Sequence, residues 1–133
     1  MRYLLLFLCT LSSFASADIC KFNGQWKSNE KMTLESMNKT GVISEKQRNL
    51  FKNDFFGKLT FVINCGEVTS SYDGVETTSK LEVVSENGRE VTFRYFDDEG
   101  NESQNTVTYN EDFSCYHARV GQLQFNEFFC KVE

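Results

Sequence analysis

Five cysteines, a single histidine and one dense run of carboxylates are the residues of this 133-residue chain whose types could do chemistry. Cys20, Cys65, Cys115 and Cys130 are widely spaced, and Cys9 lies in an apolar N-terminal stretch. A four-thiolate zinc site ordinarily holds two cysteines within roughly four residues of each other, and no pair here is that close. The even set of four instead supports two disulfides. His117 is alone, so a His-rich metal site or a paired acid–base imidazole cannot be assembled. A serine–histidine–carboxylate set could draw only on His117, and no G-x-S-x-G turn accompanies it. The run Asp97-Asp98-Glu99-Gly100-Asn101-Glu102 lacks the spacing and closing glutamate of a calcium-binding hand, and reads as a solvated hairpin loop. The expectation is a protein with no catalytic residue, metal or cofactor.

The N-terminus says which compartment these thiols meet. Arg2 is followed by the apolar run from Tyr3 to Cys9, then Ser12-Ser13 and the small residues Ala15-Ser16-Ala17. That order predicts a secretory signal over residues 1–17, cut before Asp18, and one domain over 18–133. The run is about half of the ~20 apolar residues that a membrane span needs. Cleavage removes Cys9, leaving the even set in an exported, secreted or periplasmic domain. It also removes Arg2, so the domain is one unit more negative than the −5 of the whole chain. Nucleic acid and anionic membrane surfaces reward clustered Lys and Arg, and are not expected partners.

The elements that must position these residues follow from periodicity. Phe22, Gly24 and Trp26 share one face of a short first strand. Met32, Leu34 and Met37 allow one or two helical turns, ending near Gly41. Ser44-Glu45-Lys46-Gln47 has capping-box spacing, so a helix is expected at about 45–55, with Gly57 as its C-terminal cap. Beyond Gly57 the pattern alternates with period two, punctuated by Cys65-Gly66, Asp73-Gly74 and Asn87-Gly88. The reading is mainly β: an eight-stranded antiparallel up-and-down barrel with a helical insert between strands 1 and 2. In that order all four cysteines fall at one end of the barrel. Pairing 20–65 with 115–130 joins neighbouring strands throughout and is preferred to 20–130 with 65–115.

Gly24-Gln25-Trp26 on a first strand resembles the G-x-W signature of the calycins, the barrel superfamily of lipocalins, fatty-acid-binding proteins and avidins. The resemblance implies a Trp packed at the barrel base under a basic residue of the last strand, here Lys131, with Arg119 second. A helical insert followed by short turns looks most like the fatty-acid-binding branch, in which helices form a lid over one mouth. Here that lid would lie opposite the cysteines. The signature and compartment are also similar to those of small periplasmic protease inhibitors of calycin-like fold. Trp26, Phe61, Phe93, Tyr95 and Phe125 are therefore the candidate interior residues for an apolar small molecule. The alternative is a protein partner, such as a hydrolase, met through loop 97–102 and the helix face of a barrel filled by its own side chains.

Overall fold

The computed structural model describes residues 18–53, 55–97 and 99–133, so the expected signal segment lies outside the described residues. A short 3-10 turn, Ile19–Phe22, leads into β1 (Gly24–Ser28), then α1 (Glu30–Lys39) and α2 (Glu45–Lys52). Seven more strands follow: β2 (Thr60–Asn64), β3 (Glu67–Tyr72), β4 (Val75–Asn87), β5 (Glu90–Phe96), β6 (Glu102–Tyr109), β7 (Cys115–Val120) and β8 (Phe125–Lys131). They form a closed antiparallel barrel in chain order, with β8 returning to pair with β1. None of the described helices is long and apolar enough to cross a membrane.

Register carries the expected alternation. Phe61 opposes Ser70 and Ile63 opposes Val68, while Leu81 opposes Tyr95 and Val83 opposes Phe93. One irregularity shifts the β4–β5 register between Val83 and Ser85. The extra residue there, Val84, resets the parity, so that Glu86 rather than its neighbours opposes inward-facing Val91.

Both helices differ from expectation. α1 is a full ten-residue helix, capped by the Asn29 side chain, which accepts from the Met32 N–H at 3.0 Å. Its apolar stripe is faint because part of its partner is backbone. β1 reaches β8 at only three positions, from Trp26↔Lys131 to Ser28↔Phe129. Above them α1 takes over the edge: Phe128 N–H donates to Thr33 Oγ1 and Asn126 N–H to Ser36 Oγ, both at 3.0 Å. Asn29 N–H donates to Phe128 O at 2.7 Å. Hydroxyls that look out of place in an amphipathic pattern thus complete the ladder, and Thr33 is fully buried.

α2 has the expected capping box between Ser44 and Gln47 but ends at Lys52, so Gly57 is not its cap. The chain turns instead to bury Phe56, and Gly57, at φ +91°, presents its N–H to Ser28 Oγ at 3.1 Å. The helices sit at the end of the barrel opposite the cysteines. α1 runs beside β8, and Phe51 and Phe56 pack on Phe125 at the upper end of that strand.

The apolar interior is divided in two. One cluster fills the barrel around Phe22, Trp26, Tyr109, Tyr116 and Phe129. The other, Met37, Ile43, Phe51, Phe56 and Phe125, joins the helices to the top of β8.

Candidate functional site

The cysteine end is a close-packed floor. The turn Ile19–Phe22 places Phe22 inside the barrel, where its ring lies 5.4 Å from Tyr109 and 5.2 Å from Phe93. Trp26 packs 5.7 Å from Tyr109 and 5.2 Å from Tyr116, and its indole N–H donates to Phe22 O at 3.1 Å. Lys131 lies over the Trp26 ring, with Nζ 5.5 Å from the centroid. Gly24 makes that crossing feasible, since a Cβ there would stand 2.5 Å from Lys131 Cε. Arg119 belongs to the outward-facing, exposed set of β7 and plays no part over Trp26. The disulfides Cys20–Cys65 and Cys115–Cys130 lie at this end, with Cα separations of 4.4 Å and 4.1 Å.

Above the floor is a cavity of about 360 Å³. Leu59, Phe61, Ile63, Leu81, Phe93 and Tyr95 form one wall, and Val107, Tyr116, Ala118 and Phe129 much of the other. Of the five residues expected to line it, Phe61, Phe93 and Tyr95 do. Trp26 is inside the barrel but lies below the cavity, held in the floor by Lys131, Tyr109 and Tyr116. Phe125 is taken by the helices: its ring packs against Phe51 and Phe56, so it closes the second cluster instead.

Three polar residues on the wall were not anticipated. Asn105, opposite Phe93 on the inward face, is exposed, so the cavity reaches solvent beside β5 and β6. Tyr109 is 1% exposed, and its hydroxyl has no hydrogen-bond partner among the described residues. Burial, with the nearby charge of Glu86, holds its pKa well above the ordinary tyrosine value, and burial does the same at Tyr116.

Glu127 is the third. It faces inward with Phe125 and Phe129, and Ser28 Oγ donates to its Oε1 at 3.1 Å. Ser28 in turn accepts from Gly57 N–H, which directs its own proton toward the carboxylate. Burial raises the Glu127 pKa, an effect only partly offset by the Ser28 hydrogen bond. Strand parity was the available signal for both Glu127 and Asn105, because each shares a face with a core residue two positions away.

The other chemistry-bearing residues lie elsewhere. His117 packs outside the barrel, 5.1 Å from the Phe128 ring, where burial lowers its pKa. Asp97 folds its loop on itself, with Oδ1 accepting from the N–H groups of Glu99 and Asn101 at 3.0 Å and 2.8 Å. Those donors hold its pKa below the usual carboxylate range.

No protein-family model, curated protein or solved structure matches the chain.

Proposed function

We propose that this protein is an exported, calycin-like barrel that binds a small apolar molecule in its cavity, and that it is not an enzyme. The observation that carries the reading is the 360 Å³ cavity, largely apolar and open beside Asn105. Small-molecule sites begin at about 300 Å³, so this one suits a compact ligand. Burial of apolar surface supplies the affinity, at about 25 cal/mol per Å². Two disulfides support an oxidising compartment. The stacking of Lys131 on Trp26 above Gly24 supports the calycin reading.

The test is uptake of 1-decanol by purified protein, followed by calorimetry, beside a variant whose cavity is filled. Ala118 lines the cavity, so Ala118→Trp should abolish uptake while leaving a folded barrel by circular dichroism. Undiminished uptake by that variant, or none by the wild type, refutes the reading.

A second reading, a protein-interaction module, draws on Val42, Leu50 and Phe55. These are 55%, 63% and 45% exposed and all belong to the helical insert. Loss of a stoichiometric partner from Leu50→Lys but not from Ala118→Trp would favour it.

A further inference from the structure

The cavity wall holds a carboxylate where an anion-binding barrel would need a cation. Two charged residues among those described line the cavity, Glu127 from the inward-facing set of β8 and Arg119; the others there are apolar, aromatic or amide side chains. Among the described residues no Lys or Arg pairs with it, and its hydrogen bond comes from Ser28. Arg119 reaches the rim, but it belongs to the outward-facing set of β7 and is exposed. Lys131 is committed to the Trp26 face, and Lys21, at the cysteine end, to an ion pair with Glu86. A half-buried carboxylate costs free energy unless it is paired. Here the Gly57 N–H, the Ser28 hydroxyl and the Glu127 carboxylate form a chain that holds the group in place with acceptor capacity to spare.

Resting on the binding reading above, we infer that the cavity selects a primary amine on an apolar tail. Glu127 would accept from the ammonium group, and Ser28 would act as the positioning residue. Fatty carboxylates are disfavoured by the same charge, even though they suit the cavity's size and polarity otherwise. The ammonium–carboxylate contact is charge-assisted, roughly twice as strong as a neutral hydrogen bond.

The experiment titrates wild type, Glu127→Gln and Ser28→Ala with decylamine, 1-decanol and decanoate, by calorimetry at neutral pH. Wild type should bind decylamine about tenfold more tightly than decanol, and decanoate weakest. Glu127→Gln should erase the preference for amine over alcohol while keeping decanol affinity within about twofold. Ser28→Ala should reduce the amine-to-alcohol ratio without changing decanol binding, a readout that lost stability alone would not move. If decanol binds and decylamine binds no better, or if Glu127→Gln leaves the ratio unchanged, the inference is overturned and the cavity reading stands. If none of the three probes binds the wild type, both fall. Should Glu127→Gln fail to fold, the wild-type order still decides: decanoate equal to or above decylamine overturns the inference.

Discussion

The lower and upper halves of the barrel interior are built on different terms. Below, Phe22, Trp26 and Tyr109 are each at most 2% exposed, and their rings meet at 5.4 Å and 5.7 Å. Two disulfides lie at that end. Above, inward positions include Ser70, Thr77, Ser79, Asn105 and Glu127, with no continuous core among them. An eight-stranded barrel can be filled by its own side chains, and the lower half does so. The upper half leaves room. Close packing and open volume are thus found at opposite ends of one closed sheet, and substitutions should sort accordingly.

The largest effect is expected in the floor. Trp26→Ala should destabilise the protein by about 3–5 kcal/mol in denaturant titration, because no neighbour can collapse into a site ringed by Tyr109 and Tyr116. A cost below about 1 kcal/mol would contradict close packing there. Next come the cross-links. Replacing Cys20 and Cys65 by Ala should cost about 4 kcal/mol, against about 3 for Cys115 and Cys130, since the first closes 45 residues and the second 15. Equal thermal shifts for the two double variants would show that loop length does not govern this end.

Thr33→Val belongs to neither half but to the edge where α1 meets β8. It keeps shape and removes the acceptor for Phe128 N–H, at an expected cost of about 1–3 kcal/mol. Tyr109→Phe should run the other way, gaining about 1 kcal/mol by deleting a buried hydroxyl with no partner among the described residues. Destabilisation by that change would mean that the hydroxyl is satisfied in solution.

The smallest effect is a slope with pH. Burial raises the folded-state pKa of Glu127 above its unfolded value, so its favourable contribution is complete below the ordinary glutamate range, about 4.3. That contribution is lost as pH rises through the folded-state pKa. Glu127→Gln should therefore raise the melting temperature relative to wild type more at pH 8 than at pH 4. A difference that is constant across that range would place the carboxylate in water.

The sequence made the frame legible because period-two alternation and Gly-containing turns are local signals. The placing of Lys131 over Trp26 came from the resemblance of Gly24-Gln25-Trp26 to the G-x-W signature, not from periodicity, and the two do meet across β1 and β8. The cysteine pairing was favoured through strand order alone. The cavity was harder to read. Aromatic type pointed to Phe125 and Trp26, yet neither lines it, because burial under a helix and burial in a floor both call for large rings. The polar wall residues were visible by parity but carried no hydrophobic signal. The length of α1 was hidden for a related reason: its contacts to β8 are hydroxyls on backbone, which leave no apolar periodicity.

That substitution of helix for strand has a consequence for how the protein behaves in company. A β8 edge bared above Ser28 would offer unpaired amides to any passing chain, a template for strand addition and aggregation. Thr33 and Ser36 occupy those amides with groups that cannot propagate a sheet. Amide exchange at Asn126 and Phe128 should therefore report undocking of α1. Loss of that protection would mark the onset of self-association before the barrel itself unfolds.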